Sequence, residues 1–345
     1  MNLFQKYLVD EFVEDFQEQR LSRREAMKMI ATIVGSTVVA NSILAACAPL
    51  DPEGVSTAPA QLLPTSPAAI ATAPASAATT PTSLPTATAE SPAAAAPANT
   101  QPVQSGGAPH GTVTADDPAV SAGAVIFSGQ DVEIMGYLAR SANGEPAPVI
   151  LVCHENRGLT AHIQDVARRL AKAGYVALAV DLLSRHGGSA NLESSDIPGI
   201  LGNMSLESFV QDFRSGWTWL AHEAFSLSER VGMMGFCFGG GVTWQVATHM
   251  PELKAAAPFY GPHPELSEVP NIQAAVQAVY GERDTRINAG IPAIEAAMQE
   301  HGKIYKKLIY PDADHAFFND TGTRYNPAAA EDAWKQTLSW FQTYV

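Results

Sequence analysis

Three residues in this chain have side chains suited to nucleophilic catalysis, in an order that such catalysis uses: Cys237, Asp284 and His315. Cys237 sits in "GFCFGGG", Gly235 to Gly241, directly after the apolar run "RVGMMGF". The pattern G-x-C-x-G-G is that of a nucleophile elbow, where a strand turns sharply into a helix and presents its apex residue. A thiol at such a helix start feels the positive end of the helix dipole, which favours thiolate. Read alone, the motif also suits a structural cysteine in a glycine-rich turn. Asp284 in "YGERD" and His315 in "DADHAFF" each follow a predicted strand. Taken singly, either is a loop residue, and Glu282 and Asp312 are rival acids. Together they supply nucleophile, acid and histidine in α/β-hydrolase order.

The elements that would position these residues are predicted from hydrophobic patterning. Strands are expected at 122–127, 132–139, 148–153, 175–180, 230–235, 254–259, 275–280 and 304–310. Helices are expected at 160–173, 205–225, 239–250, 289–301 and 328–343. "SGQD" joins the first two strands as a hairpin. Thereafter strand and helix alternate, which predicts a mostly parallel central sheet with helices on both faces. "PVILVC" and "YVALAV" are apolar almost throughout, as doubly buried strands are. Ligand sites in such sheets lie beyond the carboxyl ends of the strands, and Cys237, Asp284 and His315 all fall there.

The stretches "HENRGL", "DLLSR", "GFCFGG", "YGERD" and "DHAFFND" identify a resemblance. Residues 122–345 resemble the dienelactone hydrolase family of α/β-hydrolases. The resemblance implies a single catalytic domain with Cys237 as nucleophile, His315 as base and Asp284 orienting the base. It implies that Glu155 contacts the resting thiol and takes part in its activation; from the residues alone, a salt bridge between Glu155 and Arg157 is the alternative. The backbone N–H groups of Phe238 and Asn156 are expected to form the oxyanion hole. The implied reaction is hydrolysis of a small-molecule carboxylic ester or lactone through a thioester, with no metal and no organic cofactor. A thioesterase or peptidase on the same fold, and a non-catalytic surface binding module, are the competing readings.

A substrate carboxylate would need an arginine, and the candidates are Arg185, Arg157 and Arg324, with Arg185 first. The family's best-known enzymes place an arginine four residues after the histidine, where this chain has Asn319. That departure bears on whether dienelactone itself is a substrate. Tyr260 and Phe317 are candidate pocket residues. Cys153 reads as a buried strand residue, and Cys153 and Cys237 are either free or paired with one another.

The N-terminal 110 residues read differently. "SRREAMK" carries adjacent Arg23 and Arg24 and resembles a twin-arginine export signal, although Ala26 stands where a large apolar residue is common. The apolar stretch from Met29 to Ala46 has the character of a signal h-region. It ends in "LAAC", which resembles a lipobox with Cys47 as the lipidated residue; an uncleaved anchor and cleavage without lipid are the alternatives. Residues 48–110 are mostly Ala, Pro, Thr and Ser and predict a disordered tether between the signal, 1–47, and the folded domain, 111–345. Together these features predict an exported protein held to the cell membrane by lipid. The net charge of −14 excludes nucleic acid as a partner.

Overall fold

The computed structural model describes residues 1–47 and 111–345; the predicted tether lies outside the described residues. Eight strands form one sheet: β1 (Val120–Ser128), β2 (Glu133–Ser141), β3 (Ala147–Cys153), β4 (Val176–Val180), β5 (Ser226–Phe236), β6 (Ala255–Phe259), β7 (Ala275–Gly281) and β8 (Tyr305–Tyr310). Their spatial order is β1-β2-β4-β3-β5-β6-β7-β8. β1, β2 and β4 pair antiparallel, and every other pairing is parallel. The crossing of β3 and β4 in the order puts β3 and β5 side by side, with Cys153 opposite Gly235. The strand ends that carry Glu155 and Cys237 are thereby neighbours.

The central strands are buried along almost their full length: every residue of β4, β6 and β7 is buried. This follows from helices on both faces, which leave no polar side for these strands to show. β8 lies at an edge, and its Lys306 and Lys307 are only partly covered, as an edge strand tolerates.

The helices of residues 111–345 are α4 (Ala161–Lys172), α5 (Ile197–Asn203), α6 (Leu206–Leu220), α7 (Phe238–His249), α8 (Thr285–Asn288), α9 (Ile291–Glu300) and α10 (Pro327–Tyr344). The patterned helices appear where expected, except that the predicted 205–225 helix ends at Leu220 and β5 begins early, at Ser226. α5 was not expected; it contains Pro198, Gly199 and Gly202, which mask its periodicity. α7 is buried from Phe238 to Thr248, so it is a core helix with no polar face.

The N-terminal segment forms three helices, α1 (Leu3–Gln17), α2 (Arg23–Val34) and α3 (Thr37–Ala46), which belong to the same compact unit as residues 111–345. The apolar stretch expected to run from Met29 to Ala46 is broken. Gly35 takes a left-handed conformation (φ 70°) that caps α2, and Ser36 caps α3. No helix among the described residues is long and apolar enough to cross a membrane. α2 packs on α5, where a Cβ on Gly199 would lie 2.5 Å from Thr32 Cβ. α1 lies along the carboxyl edge of the sheet, and Phe4, Tyr7, Leu8, Val9, Glu11, Phe12 and Phe16 are buried.

Candidate active site

Cys237 stands between β5 and α7 with φ 57° and ψ −120°. A non-glycine residue rarely adopts this conformation, and it persists only where the surroundings over-determine it. Here the surroundings are two close backbone approaches. A Cβ on Gly235 would fall 2.2 Å from the Gly239 carbonyl oxygen, and one on Gly239 would fall 2.3 Å from the His154 carbonyl oxygen. Strand and helix meet this tightly only because both positions lack a side chain. The Cys237 N–H donates to the Phe259 carbonyl at 3.0 Å, tying the turn to β6.

His315 lies in the loop after β8 and Asp284 in the turn after β7. His315 Nδ1 and Asp284 Oδ2 are 2.6 Å apart, and both side chains are buried. Asp284 also accepts from the Ile287 N–H at 3.3 Å, at the start of α8. Burial opposes its ionisation, but His315, Arg286 and the Ile287 N–H outweigh burial and hold its carboxyl below the usual range. The rival acids lie elsewhere: Asp312 pairs with Arg283, and Glu282 accepts from the Asp312 N–H.

The Sγ of Cys237, a ring nitrogen of His315 and a carboxylate oxygen of Glu11 all lie within 4.8 Å of one another. Three residues separated by 78 to 304 positions thus converge, and one of them comes from α1. Tyr7, one turn earlier, places its hydroxyl 3.1 Å from Cys237 Sγ and 3.4 Å from His315 Nε2. Both oxygens of Glu11 are 3.6 Å from Sγ, and Oε1 accepts from Asn156 Nδ2 at 3.2 Å. Sequence patterning offered no sign of Tyr7 or Glu11, because their segment read as an export signal.

Two expectations are corrected at this point. The carboxylate in contact with the resting thiol is that of Glu11. Glu155 instead accepts from Asn319 Nδ2 at 2.7 Å. Glu155 acts on the thiol through its charge. The second correction concerns ionisation. Burial, then the charges of Glu11 and Glu155, push the Cys237 thiol well up, and the Tyr7 hydroxyl and Phe238 N–H only partly offset this. Desolvation of a fully enclosed sulfur outweighs the dipole of α7.

The remaining candidates separate. Arg324 reaches Asp15 of α1 at 3.6 Å, and its charge is felt at Cys237. Arg185 is turned away into an ion pair with buried Asp212 at 2.6 Å. Arg157 is exposed and makes no ion pair among the described residues. Tyr260 is fully buried with φ 38°, its ring 5.1 Å from that of His315 and 5.6 Å from that of Phe317. Phe317 is buried behind it, also against Tyr310. Cys153 is a buried free thiol in β3, and Cys47 and Cys237 are free as well. Arg286 was missed: it pairs with Glu14 at 3.0 Å and stacks its guanidinium 4.7 Å over the Tyr7 ring.

An eight-stranded sheet of this order, with a strained cysteine turn after β5 and an Asp–His pair on later strand ends, defines an α/β-hydrolase. The model of the Dienelactone hydrolase family matches residues 134–345, and the chain belongs to that family. A Methylorubrum extorquens protein named as a candidate carboxymethylenebutenolidase is 33% identical over 246 residues, covering 68% of this chain and 84% of its own length. An Escherichia coli K12 protein of the same name is 32% identical over 269 residues, covering 72% and 97%. Among solved structures, a dienelactone hydrolase-type protein from Klebsiella pneumoniae superposes with TM-score 0.62 at 30% identity, over 66% of this chain and all of its own. An acylaminoacyl peptidase from Pyrococcus horikoshii, 18% identical, shares the fold alone. Family and neighbours together make the chain a hydrolase.

Proposed function

We propose that the chain hydrolyses carboxylic esters or lactones through a thioester on Cys237. The observation that carries this reading is the 2.6 Å His315–Asp284 pair within reach of a strained, glycine-cradled cysteine. Asp284 fixes the proton on Nδ1, which leaves Nε2 as the base. Nε2 takes the thiol proton as Sγ bonds to the substrate carbonyl carbon, and the carbonyl electron pair moves to oxygen. That oxyanion is met by the N–H groups of Phe238 and Asn156. Collapse expels the alkoxide, which takes the proton from His315, and leaves the thioester. A water then gives its proton to Nε2 and attacks the thioester; thiolate leaves and is reprotonated. The sum is ester plus water to acid plus alcohol, with the enzyme unchanged.

Because burial disfavours free thiolate, proton transfer is coupled to attack and no standing thiolate is needed. Arg324 and Arg286 lie on the α1 side of the nucleophile, where they suit a substrate that carries a carboxylate of its own. Panels of p-nitrophenyl esters, simple lactones and a dienelactone test the reading. Turnover that falls at least about 1000-fold in Cys237→Ala supports it; undiminished turnover in that variant sinks it.

We also propose that residues 1–47 address the protein for export, with lipid on Cys47, on the strength of "SRREAMK" and "LAAC". Mass spectrometry of the membrane fraction decides this: the mature chain should begin at Cys47 with an acyl-glyceryl addition, and a chain that still begins at Met1 overturns it.

A further inference from the structure

We propose that α1 is an intramolecular plug, an acidic amphipathic helix that fills the acyl-substrate position and keeps the enzyme off until the N-terminal segment is drawn away. The inference rests on the reading of Cys237 as nucleophile. Four observations carry it.

The first is position. The Tyr7 hydroxyl sits between the nucleophile and the base, 3.1 Å from Sγ and 3.4 Å from Nε2. In the reaction that space belongs to the carbonyl carbon and leaving group, since both must contact Sγ and Nε2 in turn. A substrate and Tyr7 cannot occupy it together.

The second is access. Cys237 is 3% exposed with α1 in place, and a nucleophile that closed to solvent admits no ester. The third is how α1 is held. Phe4 packs against Phe209 and Phe238 at 5.4 and 4.8 Å between ring centres. Glu14 pairs with Arg286, Asp15 with Arg324, and Glu11 takes the amide of Asn156. Two of the groups that hold the helix, Arg286 and Arg324, are those suited to an anionic substrate, so α1 competes for them. The side chain of Glu11 adds a carboxylate against the thiol, which works against the charge that attack requires.

The fourth is where the family's shared region begins. The match runs over residues 134–345, so the family's shared region takes in Cys237, Asp284 and His315 and leaves out α1 to α3. A helix that is outside the shared fold yet seated on the nucleophile regulates it. The same segment carries Arg23 and Arg24, so any receptor that extracts it also uncovers Cys237.

The test uses the full chain in a Cys47→Ser background, with two readouts: iodoacetamide alkylation of Cys237, mapped by mass, and p-nitrophenyl acetate hydrolysis. Leu8→Asp, which puts a charge into the fully buried face of α1, should raise both rates at least tenfold. A peptide of residues 1–20 added in trans should restore the slow rates. Tyr7→Ala and Glu11→Ala remove the contacts on the thiol with less disruption, and should raise alkylation even if Leu8→Asp does not fold. Unchanged rates in all three variants overturn the plug. So does faster alkylation with slower hydrolysis in Tyr7→Ala, which would make Tyr7 part of the catalytic machinery. Faster alkylation with no ester turned over by any variant upholds the plug and removes the hydrolase reading instead.

Discussion

His315 and Asp284 are joined Nδ1 to Oδ2 at 2.6 Å, and both are buried. The contact sets which ring nitrogen carries the proton. Asp284→Asn preserves the shape but offers no carboxylate, so the other tautomer is favoured. We expect kcat to fall by about 10³- to 10⁴-fold in an α1-displaced background, measured by steady-state ester hydrolysis, with the folded domain retained in circular dichroism. A loss below tenfold would mean that Asp284 does not orient the base.

The same carboxylate gives an acid-limb signature. Asp284 is depressed in the folded state, so the folded chain keeps this charge to lower pH than the unfolded chain does. Its stabilisation is complete above an unfolded value of about 3.9 and disappears as pH falls through the lower folded value. Urea unfolding of wild type and Asp284→Asn should therefore show a stability gap at neutral pH that narrows below about pH 4. A gap that is constant with pH contradicts the assignment.

Arg286 and Arg324 face the α1 side of the site, where among the described residues they form ion pairs with Glu14 and Asp15 of α1. Once α1 is displaced, each should select for anionic substrates. Arg324→Ala is expected to raise KM for a carboxylate-bearing ester about tenfold or more, a loss of about 1.4 kcal/mol, while leaving a neutral p-nitrophenyl ester nearly unaffected. Equal effects on both esters would remove Arg324 from substrate binding.

Gly239→Ala probes the turn at Cys237. The added Cβ would lie 2.3 Å from the His154 carbonyl oxygen, backbone that cannot swing aside. We expect destabilisation of about 3 kcal/mol in chemical denaturation, with loss of hydrolysis. Unaltered stability would show that the turn is looser than its geometry implies.

Much of this was legible in the sequence for a simple reason. Continuous apolar runs such as "PVILVC" and "YVALAV" need two covered faces, and alternation with amphipathic helices supplies them, so β3, β4 and the parallel sheet follow from pattern alone. The glycines around Cys237 are a local signal too, since a strained turn with close backbone approach leaves few other residues possible. Chain order then places Asp284 and His315 on the same sheet edge.

What patterning could not reach is contact between segments far apart in sequence. Arg185 follows a strand as a site arginine would, but a buried carboxylate on α6, Asp212, claims it. Residues 1–47 have the local marks of an export signal, and those marks hide what α1 touches. Tyr7 and Glu11 lie 230 and 226 positions from Cys237, and no local periodicity encodes such a meeting. Sequence alone determined the fold and brought Cys237, Asp284 and His315 forward as candidates, because both depend on short-range pattern and on strand order. Tertiary structure alone decided the state of the Cys237 thiol, because burial and neighbouring charge are properties of what packs against it.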